Sequence, residues 1–196
     1  MNESARKWEE FLNPEVLRTK LITASMFLAA FELLKDSIIN RVEGFYTIGF
    51  DESGVEVSSG YSMEVLALNK SRLYASILWL KKQDAINEDD LVAFEGLRVC
   101  RNNVAHELQR IIGGNLELAF VERFPVLIAL LRKIEVWWIV NFEIPANADF
   151  DGAEIDEPGI VPGAVLMTQL MCEIALGDPD KASYYLNEFK RRRKEK

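Results

Sequence analysis

The chain has one histidine, His106, and histidine is the side chain that most readily exchanges protons near neutral pH. Arg101, Asn102 and Asn103 precede it within the hexapeptide Arg-Asn-Asn-Val-Ala-His. A guanidinium binds phosphate oxygens through paired hydrogen bonds, and neighbouring carboxamides can orient a phosphate or an imidazole. These residue types predict a site for a phosphodiester, with His106 as the group that moves protons.

The same hexapeptide also has a structural interpretation. Arg98 and Arg101 could pair with Glu95 or with a carboxylate on a neighbouring helix, as surface arginines often do. On a helix, Asn102 and His106 lie about 40° apart around the axis, whereas Arg101 and His106 lie about 140° apart. The spacing therefore permits a shared site without requiring one.

Other residues are weaker candidates for this site. Glu32 and Asp36, on an earlier helix, could face the hexapeptide and hold it in place, although we expect both to be solvated. Trp137 and Trp138 could stack on bases, but packing in a core or an interface is the more usual role of such residues. The acidic residues around Glu154 lack the spacing of a metal-binding loop, so we predict no metal and no cofactor.

Composition limits the class of protein. The chain has 196 residues, of which 49% are hydrophobic and 28% charged, as is usual for globular domains. A net charge of -8 argues against broad binding of nucleic acid, so an RNA site would be local. Cys100 and Cys172 lie in apolar settings and are expected to be free thiols in a reducing compartment. Since no signal peptide or membrane span is recognised, we expect a soluble, cytoplasmic protein.

Hydrophobic periodicity predicts helices along almost the whole chain. The first two run from Ser4 to Leu12 and from Pro14 to Asn40, the second capped by Asn13. Glycines between Glu43 and Gly60 favour either a small hairpin or an irregular loop. Later helices are predicted over residues 62–82, 87–112 and 115–141.

Two local signals divide the second half of the chain. Gly113-Gly114 ends the helix that carries the hexapeptide, and Pro125 kinks or breaks the helix that follows. Two short helices then run from Ala164 to Leu176 and from Asp180 to Arg193. The basic residues 190–196 are a candidate phosphate contact but are more typical of a solvated helix end.

These elements predict an all-α protein in three parts. Residues 1–142 form a four-helix up-and-down bundle with a small loop or hairpin insertion. An acidic connection rich in proline and glycine follows over residues 143–163. Residues 164–196 form a C-terminal helical hairpin that packs on the same domain.

The segment from Arg101 to His106 resembles the Arg-polar-x3-His signature of the HEPN superfamily. Members of that family are compact helical bundles with the motif on a late core helix, a layout that the predicted elements match over residues 14–141. The resemblance implies a metal-independent endoribonuclease, as in HEPN toxins and antiviral effectors, in which two protomers share one cleft. It also implies that His106 is a general acid or base, that Arg101 stabilises charge on the phosphorane, and that Asn102 orients the phosphate or the imidazole.

Two other functions within the same family stay open. HEPN proteins also serve as non-catalytic dimerisation or interaction modules and as nucleotide-linked regulators, often beside a nucleotidyltransferase that masks or modifies them. This chain has no nucleotidyltransferase signature of its own, so such an antitoxin would be a separate protein. Of these functions the endoribonuclease is the main expectation. It implies a homodimer that takes RNA as its substrate and does not bind membranes.

Overall fold

The computed structural model of the protein describes residues 2–51, 54–112, 119–178 and 182–194. Within these ranges the chain is mostly helical and contains one small antiparallel sheet of two strands, which confirms the predicted all-α class. The helices are α1 (Glu3–Leu12), α2 (Pro14–Phe45), α3 (Arg72–Lys82), α4 (Glu88–Ile112), α5 (Ala119–Trp138), α6 (Gly163–Leu176) and α7 (Tyr184–Lys194). The strands are β1 (Thr47–Asp51) and β2 (Gly54–Val57).

Helix α2 begins at the predicted cap. The side chain of Asn13 accepts hydrogen bonds from the backbone N–H groups of Glu15 and Val16, at 3.0 and 3.4 Å, and Pro14 occupies the first turn. The helix continues five residues past the predicted end at Asn40, to Phe45. The extra turn is stabilised by apolar packing, because Val42 lies fully buried in the core.

The glycine-rich segment after α2 forms a hairpin and not an irregular loop. Strands β1 and β2 are antiparallel, with Phe50 opposite Val55, and the register shifts between Thr47 and Gly49. Gly54 has a φ of +123°, a conformation that is accessible to glycine and strained for other residues. The predicted insertion is therefore a small β-hairpin.

The helix predicted over residues 62–82 is interrupted, and the prediction of one continuous helix is wrong. A π-helical turn (Tyr61–Val65) and a 3-10 turn (Leu66–Leu68) precede an extended residue, Asn69. The Asn69 carboxamide accepts a hydrogen bond from the backbone N–H of Ser71 at 2.9 Å. Because that local bond competes with helix formation, α3 starts only at Arg72.

Helix α4 carries the hexapeptide and has a reciprocal cap at its start. The Asn87 carboxamide accepts from the N–H of Asp90 at 3.0 Å, while the Asp90 carboxylate accepts from the N–H of Asn87 at 2.8 Å. The helix runs to Ile112, as predicted. The expected stop at Gly113-Gly114 lies outside the described residues.

Helix α5 passes through Pro125 as a single element, so the helix is not broken there. Its predicted start near Asn115 lies outside the described residues. After Trp138 the chain makes a π-helical turn (Ile139–Glu143), in which the N–H of Ile144 donates to the carbonyl of Ile139 at 2.9 Å.

The acidic connection after α5 contains two 3-10 turns, Ala148–Phe150 and Glu157–Gly159. The guanidinium of Arg132 donates to the backbone carbonyls of Glu157, Pro158 and Ile160, at 3.2, 2.8 and 3.2 Å. These bonds attach the second half of the connection to α5. Helix α6 begins directly after it and packs on α2 and α5.

The core surrounds α2, which packs against α3, α4, α5 and α6. One end of this core is aromatic: Trp138 stacks on Trp79 with ring centroids 5.9 Å apart, and Trp137 packs edge-on against both. Trp138 is only 4% exposed, so it has no open face for a base and belongs to the core. None of the described helices is long and apolar enough to cross a membrane.

Candidate functional site

The hexapeptide lies on α4 with one face against the core. Leu97 and Val104, seven residues apart and so on nearly the same side of the helix, are both buried. Their burial fixes the rotation of the helix about its axis and leaves Asn103 and His106 exposed, while Arg101 and Asn102 are half-buried. The predicted site residues are therefore at or near the surface.

The guanidinium of Arg101 bridges α4 and α2. It donates to a carboxylate oxygen of Glu32 at 2.8 Å and to the carboxamide oxygen of Asn102 at 3.4 Å. The alternative of a carboxylate on a neighbouring helix is thus confirmed for Arg101, while the Glu32 side chain is 37% exposed and remains partly solvated. Asp36, four residues further along α2, is exposed.

Glu32 is shared between two cations. Its carboxylate also accepts a hydrogen bond from Lys35, one turn along α2. The Lys35 bond, followed by that of Arg101, holds the pKa of Glu32 below its usual value, although partial burial opposes this. The carboxylate is therefore ionised at neutral pH, and the group formed by Lys35, Glu32 and Arg101 carries one net positive charge.

His106 stands apart from this charged group. It makes no hydrogen bond or ion pair with any of the described residues, and it is exposed. Arg101 and Asn102 contact each other, but neither is hydrogen-bonded to His106. The structure therefore brings together two of the three predicted site residues and leaves the imidazole open to solvent.

Sequence reasoning named Glu32 only as a weaker candidate and missed Lys35 as a part of this site. Their spacing of three residues on a helix is a local signal for an ion pair. The contact that matters joins Arg101 to a residue 69 positions earlier, and no local pattern encodes it. Arg98, by contrast, pairs within its own helix with Glu95, as proposed from the sequence.

A second polar cluster lies between α2 and α5. The guanidinium of Arg41 binds carboxylate oxygens of Glu135 and Glu143, each at 2.6 Å, and the hydroxyl of Ser37 donates to Glu135. The hydrogen bond that Arg41 donates to Glu135 and, to a lesser extent, the one it donates to Glu143 raise the pKa of Arg41. Glu135 is almost fully buried and its charge is balanced by Arg41, so this cluster fits a structural role.

Among the described residues, no group of three or more histidine, cysteine or acidic side chains could hold a metal ion. Cys100 and Cys172 are free thiols, and burial raises the pKa of both. A raised pKa keeps a thiol protonated and poorly nucleophilic, so neither cysteine is a good nucleophile.

No family model, curated protein or solved structure matches this chain. The case for a function therefore rests on the residues of the chain and on their arrangement around Arg101 and His106.

Proposed function

We propose that the protein is a metal-independent endoribonuclease of HEPN type, with α2 to α5 as the core of a four-helix up-and-down bundle. It acts in the cytoplasm as a homodimer, as a toxin or defence effector, with a separate protein such as a nucleotidyltransferase as its possible antitoxin. One observation carries the proposal. Arg101 is fixed by Glu32 on a neighbouring helix, while His106, five residues further along α4, is exposed and unpaired among the described residues.

The proposed reaction uses the 2′-hydroxyl of the RNA as nucleophile. One His106 takes the hydroxyl proton as the oxygen attacks phosphorus, and the His106 of a second copy gives a proton to the leaving 5′-oxygen. The bond to the 5′-oxygen breaks, which yields a 2′,3′-cyclic phosphate and a 5′-hydroxyl end. Arg101 stabilises the negative charge on the phosphorane oxygens, and Asn102 orients the phosphate.

A homodimer is supported by an exposed stripe along α4. Val92, Val99, Asn103 and His106 are spaced by seven, four and three residues, which places them on one face of the helix. Val92 and Val99 are 73% and 50% exposed. Heptad-like spacing of this kind suits pairing of two helices, and a polar residue such as Asn103 within the seam can fix the register. Pairing along this stripe would bring two copies of His106 towards one cleft.

Local positive charge makes the site compatible with RNA despite the acidic chain. Lys35 lies across from Arg101 on α2, and with Glu32 these residues carry one net positive charge. A phosphate that binds Arg101 can take the place of the Glu32 carboxylate, because both present oxygens to the guanidinium. The half-exposed geometry of this contact permits such an exchange.

The first experiment is RNA cleavage in EDTA by the wild-type protein and three variants. We expect cleavage with 2′,3′-cyclic phosphate ends, at least about 100-fold slower in His106→Ala because a proton-transfer group is lost. Arg101→Ala should be slowed to a similar extent, whereas Arg98→Ala is the matched control and should retain activity. Arg98 has a similar exposure on the same helix, and its ion-pair partner Glu95 lies on α4 itself and not on α2.

The outcome that would overturn the proposal is a dimeric sample, free of copurified inhibitor, that cleaves RNA no faster than His106→Ala. The α4 stripe by itself favours the second candidate, a non-catalytic dimerisation or interaction module. In that case, light scattering should show that His106→Ala weakens the dimer, and no cleavage would be lost.

A rise in melting temperature with ATP would instead indicate a nucleotide-linked regulator.

A further inference from the structure

A second open surface lies in the acidic connection, remote in sequence from the hexapeptide. It is a depression of about 510 Å³, here called the acidic depression. Its apolar part includes Ile144, Phe150 and Ile155, and its charged part consists of Glu143, Glu154 and Asp156. Among the described residues no cationic side chain lines it, so it offers apolar contact beside negative charge.

Two of these three carboxylates have no described counter-charge. Glu143 is bound to Arg41, but neither Glu154 nor Asp156 forms an ion pair with any described residue, and both are exposed. An apolar floor with an uncompensated acidic rim fits a ligand that combines an apolar anchor with cationic groups.

Helix α7 of the same chain has the complementary chemistry. Leu186 and Phe189 are 55% and 65% exposed, although they are large apolar side chains. Arg192 and Arg193 follow Phe189 by three and four residues, so they lie beside it on the same face of the helix. Arg191 points to another face and is bound to Glu188 at 2.9 Å; Arg192 approaches the same carboxylate at 3.8 Å, and Arg193 forms no ion pair with a described residue.

Within one chain these two surfaces do not cover each other. Residues 189–194 of α7 are all exposed, and so are the Glu154 and Asp156 side chains. The hydroxyl of Tyr185 donates a hydrogen bond to Glu173 of α6, and this bond connects α7 to the rest of the chain. Both surfaces are therefore accessible to a second molecule.

We propose that α7 of one copy of the protein docks in the acidic depression of a second copy, with Phe189 against the apolar floor and Arg192 and Arg193 against Glu154 and Asp156. The contact is reciprocal in a twofold pair, because each copy carries both the helix and the depression. Burial of the Phe189 ring supplies the apolar part of the association, and the charges fix which face of α7 docks. This interface does not use the α4 stripe and does not rest on the proposed nuclease activity.

Charge reversal gives a direct test. Variant A carries Arg192→Glu and Arg193→Glu, and variant B carries Glu154→Lys and Asp156→Lys. Each variant alone would place like charges together, and we expect its self-association to weaken at least about tenfold. In an equimolar mixture both contacts are complementary again, so sedimentation velocity should show the wild-type association restored.

Matched controls separate this contact from an effect of total charge. Arg191→Glu with Lys194→Glu makes the same charge change as variant A on the other side of α7. Asp149→Lys with Asp151→Lys makes the same change as variant B outside the lining of the depression. Both controls should associate like the wild-type protein. Phe189→Ala, which changes no charge, should weaken association as A and B do.

Three results would overturn the proposal. One is a mixture of A and B that associates no better than either variant alone, which would indicate docking within one chain or another ligand for the depression. Another is self-association that is weakened equally in the control variants, which would show that total charge, and not the proposed contact, causes the effect. The third is unchanged association in Phe189→Ala. The α4 stripe is unchanged in all variants and controls, so its contribution to self-association is the same in every sample, and RNA cleavage is measured separately.

Discussion

Two arginines connect helices through glutamates in this protein, and they do so in different surroundings. Arg41 joins α2 to Glu135 and Glu143, and the Glu135 side chain is 5% exposed. Arg101 joins α4 to Glu32 of α2, with side chains 34% and 37% exposed. The two arginine side chains are about equally exposed, at 38% and 34%, so the contacts differ in their glutamates: Glu135 is shielded from water, whereas Glu32 is partly hydrated. Burial of the glutamate thus separates an ion pair that holds the fold from one whose carboxylate, in the proposed function, gives way to an RNA phosphate.

The largest change in the free energy of unfolding is expected at the contact between Arg41 and the buried Glu135. Arg41→Met leaves the Glu135 carboxylate in the core without its cation, and we expect the free energy of unfolding to fall by about 3 kcal/mol in urea denaturation. Replacing both partners, as Arg41→Met with Glu135→Leu, should recover a large part of that loss because no buried charge remains. A double variant as unstable as the sum of the two single variants would contradict this account.

A smaller effect on stability is expected at the exposed contact. Arg101→Met should lower the free energy of unfolding by less than about 1 kcal/mol, because both side chains are already partly hydrated. Arg98→Met, at the neighbouring exposed pair, should behave in the same way. A loss of 3 kcal/mol in Arg101→Met would assign Arg101 the same structural role as Arg41 and remove the contrast.

The smallest effect is expected in how the free energy of unfolding changes with pH through the ionisation of Glu32. Because the folded state lowers the pKa of Glu32, the ionised carboxylate stabilises the fold at neutral pH, and this contribution is lost as the pH falls below the usual glutamate pKa of about 4.3. The stability difference between wild type and Glu32→Gln should therefore shrink between pH 7 and pH 3 in urea titrations. A difference that stays constant over this range would show that the Glu32 charge does not contribute.

The parts of this structure that the sequence predicted depend on contacts over a few residues. The caps at Asn13 and Asn87, the hairpin and the placement of the hexapeptide on α4 all follow from local hydrogen bonding and periodicity. The interruption at Asn69 is also local, but the strong apolar pattern on either side obscured it.

What the sequence left out depends on contacts between distant residues. Glu32 and Arg101 are 69 positions apart, and Arg41 and Glu135 are 94 apart. Each of these glutamates has, in the sequence alone, the pattern of an ordinary solvated helix residue. The packing of α2 against α4 places Glu32 between two cations, and the packing of α2 against α5 buries Glu135. Neither result is visible in the sequence.

The π-helical turn at Ile139–Glu143 has a consequence for insertions and deletions. Glu135 and Glu143 are eight residues apart, a separation that would place them about 80° apart on an uninterrupted α-helix. The wide turn accommodates about one additional residue, which brings the second carboxylate close to the line of the first, so both reach Arg41. Removing a single residue there would rotate the Glu143 carboxylate by about 100° about the helix axis, away from Arg41. The length of this turn, more than its composition, therefore determines whether Glu143 reaches Arg41.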